Sequence, residues 1–413
     1  MAVLPLSRYR VVDLGSAWAG PMAALLLADL GAEVVKVESR ERLDGLRRGR
    51  PILADDAAAG DRGLWPELQP LFHSLNRNKL SATLNLKTAE GLQLLRELVA
   101  RSDVVMNNYS PGVLERMGLG YPELRKVRPD IILVSMPSVG ESGPLRDVLA
   151  YAPIIQSLSG LTSVIGYQED EPLVGELQNA WSDTVASVHA ALAAAAALRH
   201  RNITGQGQAI EVAQLEATTA MLGEPLLDVQ MTGRVAVPQG NYDAEFAPHG
   251  NYPCLGDDTW VAIAVRTEEE WQGFRLALGG AGWTGDPQFV DKLSRLRNSR
   301  DLDRHVADWT RQRTSQEATD LLQKHGVAAM PVMNIEGQFM DPHLRERQAF
   351  AEVEHPHVGA EWLFGMPWLL SDTPGSVRSA APLLGQHNEY VFHQLLGVPL
   401  EELERLQAAQ VVY

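Results

Sequence analysis

The sequence predicts an α/β protein, a doubly wound parallel sheet followed by a smaller α+β domain. Three observations carry this. Short β-branched runs alternate with helical patterns through the N-terminal third, the mark of βαβ units. The chain has 413 residues, more than one domain of ~100–200 residues holds. A Pro/Gly/Asn-rich stretch, Gly223 to Gly250, then separates an Ala-rich helix from a second, shorter set of strands and helices.

The elements follow in order. Val11–Leu14 is an apolar run stopped by Gly15, and Pro21–Leu30 has a helical pattern ended by Gly31. Glu33–Glu38 reads as the second strand and Ala82–Leu86 as the third, with an amphipathic helix over Thr88–Ala100. Val104–Met106 and Ile131–Ser135 are further buried strands, with a helix start at Gly112–Arg116 between them. Right-handed crossovers place ligand loops at the carboxyl ends of such strands. Ser182–Arg201 is a helix whose AALAAAAAL core lets another backbone approach closely, and Gly205–Glu216 gives a strand and then a helix. Gly223–Gly250 is taken as linker and surface loops. Beyond it Trp260–Val265 and Val327–Met333 are strands, while Glu268–Leu278 and Leu302–Lys324 are helical. Asp341–Tyr413 returns to loops and ends in a helix from about Asn388.

Composition narrows the function. The net charge of −16, from 36 basic and 52 acidic residues, argues against a nucleic-acid binder, which carries a basic face. A single cysteine, Cys254, excludes a disulfide framework and a thiolate metal cluster. No apolar h-region opens the chain, and the run Ala190–Leu198 falls far short of the ~20 residues of a membrane span, so a cytoplasmic protein with no membrane partner is expected.

Four features are candidates for chemistry, each with a bland counterpart. The opening strand, turn, helix and acid (Glu38) resemble a dinucleotide fold, yet Gly15-x4-Gly20 is not the G-x-G-x-x-G that fits a pyrophosphate. Arg40, Arg42, Arg47, Arg48 and Arg50 form a basic stretch, read either as a phosphate site or as a solvated face. Asp183, at the start of the Ala-rich helix, is either an N-cap or a carboxylate nucleophile whose ionised form the helix terminus favours. His355-Pro356-His357 lacks the spacing and acid company of a metal site, so no metal is expected. There is no G-x-S-x-G elbow for a hydrolase, and Cys254 reads as a structural thiol.

Several segments read together: NRNKLSATLNLKTAEG (Asn76–Gly91), DVVMNNYSPGVLERMGLGY (Asp103–Tyr121), SDTVASVHAALAAAAALRHRNITGQGQAIEV (Ser182–Val212), APHGNYPCLGDDTWVAIA (Ala247–Ala264) and TPGSVRSAAPLLGQHNEYV (Thr373–Val391). In this order and spacing the chain resembles the class III CoA-transferase family, which includes formyl-CoA and carnitine CoA-transferases and the related α-methylacyl-CoA racemases. The resemblance implies a Rossmann-like large domain (residues 1–222), a linker and small domain (223–335) and a C-terminal segment returning to the large domain (336–413). It also implies two chains threaded as an interlocked homodimer, with a heterodimer of homologous subunits as the alternative. The substrates it implies are an acyl-CoA and a carboxylic acid, with no permanently bound cofactor.

Residue by residue, the resemblance places the nucleophile on Asp183. It puts coenzyme A contacts on Ala19, Lys79, Asn108, Tyr109 and Arg116, and the active-site tyrosine on Tyr151. Three departures stand out. The family's glutamine before A-G-P is Trp18, which adds an apolar wall. Its arginine after K-[IV]-E is Ser39, with Arg40 one place on. Its tetraglycine loop is replaced by GNYDAEFAPHG, which ends in the pocket candidates His249 and Gly250. Together they imply a larger, partly apolar acid rather than oxalate. The racemase branch needs a histidine where Tyr151 stands, and tyrosine, ordinarily ionising near ~10, is a poor general base at neutral pH, so transferase is the reading preferred. The rivals are a racemase, a less active subunit of a heteromer and, from the opening unit alone, a nicotinamide dehydrogenase. The charge total leaves room for a phosphate ligand if Arg40–Arg50, Lys79 and Arg116 cluster at one end of the sheet.

Overall fold

The computed structural model describes residues 4–51, 62–167 and 180–413. The chain divides into two compact units, one of Met1–Thr162, Glu176–Gly233 and Glu346–Tyr413, the other of Ser163–Gly175 and Arg234–Arg345.

In the larger unit six parallel strands, β1 (Arg10–Asp13), β2 (Glu33–Glu38), β3 (Lys79–Thr83), β4 (Val104–Asn107), β5 (Ile132–Ser135) and β6 (Ala209–Glu211), lie in the order β3-β2-β1-β4-β5-β6. The chain enters at the middle of the sheet and winds outward both ways. The order therefore reverses between β1 and β4, and the loops leaving their carboxyl ends open a crevice there. Alternation sets the two faces. Val11, Val34, Val104, Met106, Ile132 and Val134 pack on one side against the helices Ala19–Asp29 and Trp181–Thr204. Val12, Val35, Val105 and Leu133 face the other side, against the helix Ala89–Ala100 and the C-terminal residues Phe392, Leu403, Leu406 and Val412. Each such side chain contributes ~1.5–3 kcal/mol on burial, so Phe392, with no exposed surface, ties the end of the chain to this face of the sheet. The long helix Trp181–Thr204 reaches the sheet through Ala186, Ala190, Ala194 and Ala197, one stripe of methyl groups thin enough for close backbone approach. It ends at Gly205, whose left-handed φ of 74° closes the last turn.

The smaller unit holds a three-stranded antiparallel sheet, β7 (His249–Pro253), β8 (Trp260–Ala264) and β9 (Ala328–Pro331), in that order. Its core is aromatic: Trp271 stacks on Phe274 at 5.5 Å, with Phe289, Leu302, Val306 and Leu322 around them.

Several elements differ from expectation. The third strand begins at Lys79 rather than Ala82, because Lys79, Ser81 and Thr83 are polar residues buried with partners of their own. Gly223–Thr232, expected to be linker, is a helix. The helical stretch expected over Leu302–Lys324 is two helices, Ser299–Thr310 and Ser315–Lys324, the second started by a Thr314/Glu317 capping box. The C-terminal loops contain an antiparallel hairpin, β10 (Phe350–His355) and β11 (Gly359–Phe364). The final helix is a π-helical stretch, Glu389–Leu395, broken before Leu400–Ala408. No helix among the described residues is long and apolar enough to cross a membrane.

Candidate active site at the switch point of the sheet

The chain leaves β1 at Asp13 and turns through Gly15–Trp18 into the opening helix, Ala19–Asp29. Gly15 and Gly20 pack back to back: a Cβ on either would lie 2.8 Å from the other's Cα. Self-packing of backbone therefore accounts for the Gly15-x4-Gly20 spacing. The loop between them is fixed by side chains from other elements. Asp13 accepts the Gly15 N–H at 2.8 Å, and the Lys36 ammonium donates to the Gly15 carbonyl at 2.8 Å. Asn108, just beyond β4, accepts the Ser16 N–H at 2.9 Å and donates to the Ser16 carbonyl at 2.8 Å. Asp44 accepts the Ala17 N–H at 2.9 Å and pairs with Lys36 at 2.9 Å. Ala17 has φ of 60°, a left-handed conformation that costs an L-residue ~1–2 kcal/mol.

Asp183 is not the N-cap of the long helix. That place is Ala180, and the first free N–H, of Trp181, is taken by the Gln156 side chain at 3.1 Å. Asp183 sits in the first turn, half-buried, with its Oδ1 accepting the Ala19 N–H at 3.2 Å and the Ser182 hydroxyl 3.4 Å from Oδ2. The buried Ser187 hydroxyl lies 2.9 Å from the Ala19 carbonyl and 2.6 Å from that of Asp183. Burial pushes the Asp183 carboxyl up, while the Ala19 N–H and the Ser182 hydroxyl pull the other way. A carboxylate short of water at the positive end of a 24-residue helix is equipped to attack an electrophilic carbonyl. The Ala19 N–H already touches the oxygen that would become the carbonyl of an acyl derivative.

Around this pair, Trp18 stands at the N-cap of the opening helix, its indole N–H buried without a partner. Ala19 is fully buried. Tyr151 precedes the helix Ala152–Leu158 with its ring exposed, and that helix brings Gln156 to the start of the long one. Tyr109 packs on the core, its hydroxyl pushed up by burial. Arg40 and Arg116 are exposed.

Two expected phosphate ligands have other work. Lys79 is 2% exposed, and its ammonium is spent on Asp13 at 2.9 Å, the Pro21 carbonyl at 2.7 Å and Asn76 at 2.9 Å. Burial lowers it to about 8 against the pull of Asp13. With three donors and three acceptors it has nothing left for a ligand. Arg47 is likewise interior, bound to Glu38, Glu67 and the Pro382 carbonyl and lying over the Phe72 ring. The basic stretch is thus neither a uniform phosphate site nor a uniform solvated face.

In the smaller unit, His249 and Gly250 lie on β7, and His249 Nδ1 donates to the Asn241 carbonyl at 2.7 Å. Both line a cleft of about 550 Å³ with Tyr252 and Asp303, whose hydroxyl–carboxylate bond is 2.6 Å.

An acid does accompany His355. Glu361 on β11 bonds His73 Nδ1 at 2.5 Å, and the rings of His73 and His355 stack at 4.2 Å. The three donor groups lie within 4.8 Å of one another. His355 Nδ1, however, accepts the N–H groups of His357 and Val358 at 3.3 Å, which fixes its proton on Nε2, the nitrogen a cation would need. The cluster is a hydrogen-bonded clasp between β10–β11 and the helix Pro70–Asn76. Sequence distance hid it, as it hid Lys36, Asp44 and Gln156. Only the proximity of Ser182 and Ser187 to Asp183 on one helix was a local signal.

Fold and site together define an α/β enzyme with a carboxylate presented at the switch point of a doubly wound sheet. The chain belongs to CoA-transferase family III, whose model matches residues 6–388. It is 33% identical over 409 residues to the succinyl-CoA–D-citramalate CoA-transferase of Chloroflexus aurantiacus, covering 99% of this chain and 98% of that one. It is 33% identical over 414 residues to the beta subunit of the succinyl-CoA–L-malate CoA-transferase of the same organism, with the same coverage, and 30% identical over 427 residues, covering both chains fully, to a formyl-CoA:oxalate CoA-transferase of Streptomyces coelicolor. A CAIB/BAIF family protein from Brucella suis superposes with a TM-score of 0.85 at 28% identity, over 95% of this chain and 99% of that one. The protein is an enzyme of the CoA-transferase class, acting on CoA thioesters.

Proposed function

We propose that this enzyme moves CoA from an acyl-CoA to a carboxylic acid through covalent intermediates on Asp183. The Asp183 carboxylate attacks the thioester carbonyl, the C–S bond breaks, and a mixed anhydride and CoA thiolate form. The thiolate attacks the aspartyl carbonyl, expels the donor carboxylate and leaves an aspartyl–CoA thioester. The acceptor carboxylate then displaces CoA to give a second anhydride. Attack by the thiolate on the acceptor carbonyl releases the new acyl-CoA and restores Asp183. Each difficult acyl transfer becomes two easier ones, and no permanently bound cofactor takes part. The observation that carries this reading is the Ala19 N–H on Asp183 Oδ1, 3.2 Å away. The same donor faces the aspartyl oxygen in the tetrahedral states, where negative charge gathers.

Arg40 and Arg116, exposed, and Tyr109, beyond β4, are assigned to the coenzyme side, without Lys79 and without Asn108, whose amide is spent on Ser16. Trp18 and Tyr151 are assigned to the acid. An indole wall with an unpartnered N–H suits an acid larger than oxalate that carries a polar group beyond its reacting carboxylate. Two relatives are named for citramalate and malate, acids of that kind. The enzyme is proposed to work in the cytoplasm as an interlocked homodimer. Apolar side chains support an assembled form: Leu192, Met231 and Leu369 are 68%, 82% and 71% exposed in the single chain. Since relatives include alpha and beta subunits, a heteromer is the alternative.

The deciding experiment is mass spectrometry after incubation with acyl-CoAs and hydroxylamine trapping. An adduct on the peptide containing Asp183 is expected, with activity reduced at least ~10³-fold in Asp183→Ala. Full activity in that variant overturns the mechanism, and unchanged acceptor preference in Trp18→Gln removes Trp18 from the acid site.

A further inference from the structure

We propose that Asn108 is a positioning residue for the chemistry at Asp183, acting on Ser16 rather than on coenzyme A. This rests on the reading of Asp183 as nucleophile. Between Gly15 and Ala17 five consecutive backbone polar groups are each held by a side chain, four of them by side chains from other elements of the fold. The Gly15 N–H is held by Asp13, its carbonyl by Lys36, the Ser16 N–H and carbonyl by Asn108, and the Ala17 N–H by Asp44. A three-residue turn needs no such set merely to connect a strand to a helix. This one contains Ala17 at φ 60°, and two residues later it delivers the Ala19 N–H to Asp183 Oδ1. Strain held by surrounding bonds beside a reactive group is how sites are preorganised.

Within this set Asn108 has the central place. Its amide makes a reciprocal pair with both polar groups of one residue, Ser16, which lies next to the strained one. Its Oδ1 also lies 3.1 Å from where a Gly20 Cβ would be, so the amide is wedged between the turn and the first helical residues. Removing it frees the Ser16 peptide, and the left-handed Ala17 relaxes toward ordinary φ, carrying the Ala19 N–H away from the carboxylate. Lys36 and Asp44, paired at 2.9 Å, hold the other side of the turn.

The test separates kcat from KM in the full-length enzyme. Asn108→Ala is expected to lower kcat ~10–100-fold, the scale of an angstrom-sized misplacement at a reacting centre, with the KM for acyl-CoA changed less than about threefold. Formation of the trapped Asp183 adduct should slow in parallel. Adding Ala17→Gly should recover about tenfold, because glycine takes the left-handed conformation without the strain that drives Ala17 out of it. Should Asn108→Ala not fold, Ala17→Val serves. A β-branched residue resists φ 60°, so kcat falls with KM unchanged while Asn108 stays in place. A raised KM with kcat intact in Asn108→Ala makes Asn108 a coenzyme contact and overturns the proposal. So does a double variant no better than the single one, or wild-type kcat in Ala17→Val. Failure of the nucleophile reading looks different, since no adduct then forms on Asp183 even in the wild-type enzyme.

Discussion

The basic residues of the larger unit fall into two populations with opposite work. Lys79 and Arg47 lie inside, each bound to carboxylates and carbonyls of the fold, whereas Arg40 and Arg116 stand in solvent. A charge in the interior is retained because its partner cannot be left alone, and a charge outside is free to meet a ligand. Charge counted along the sequence cannot tell these apart. The partner, not the sign, decides.

Four measurements test that contrast. The largest effect is expected inside: Lys79→Met removes the ammonium paired with buried Asp13, and Arg47→Met the guanidinium paired with buried Glu38, each lowering unfolding stability by ~3–5 kcal/mol in urea titrations. A stable Lys79→Met enzyme with a weakened acyl-CoA KM would move Lys79 to the other population. The next effect is outside, where Arg40→Ala and Arg116→Ala should each raise the acyl-CoA KM about tenfold, the scale of one charge-assisted bond, at unchanged melting temperature.

Third comes pH. Burial, with the neighbouring His73 next, holds His355 down at about 4 from an ordinary 6.5. The folded state thus resists a proton that the unfolded chain accepts, and the His355 contribution, whole above pH 6.5, is lost as pH falls toward 4. The loss should be on the order of 2 kcal/mol and should be absent in His355→Asn, read by unfolding at pH 7 and pH 4.5. The smallest effect belongs to the exposed pair Arg405–Glu90, 2.7 Å apart, where Arg405→Ala should give no resolvable melting shift.

How much of this was legible follows from which forces are local. β2 runs over Glu33–Glu38 as its β-branched pattern says, and the long helix, expected over Ser182–Arg201 from its alanine core, runs over Trp181–Thr204. The break at Thr314 was written in the sequence as T-S-Q-E, a capping box inside an apparently continuous helical stretch. β3 was misplaced because its inward-facing residues are polar and are satisfied only by groups far along the chain, Asp13 for Lys79 and Asn388 for Thr83. Asp183 looked like a cap because the group that accepts the first N–H of the helix, Gln156 Oε1, lies 25 residues before Trp181. The site shows the same division. Asp183 and Trp18 stood out in the sequence as candidates, but the side chains that hold Ser16 and Ala17, Asn108 and Asp44, lie 92 and 27 residues away and have no linear pattern.

The Ser187 hydroxyl, set between the carbonyls of Ala19 and Asp183, has a consequence for motion. The opening helix and the long helix are joined at the level where the Asp183 carboxylate and the Ala19 N–H meet, so they are expected to shift together. Fluctuation that would part the Ala19 amide from the carboxylate must first separate two packed helices. That amide should therefore exchange its hydrogen slowly, on the schedule of the sheet core rather than of the loop it follows.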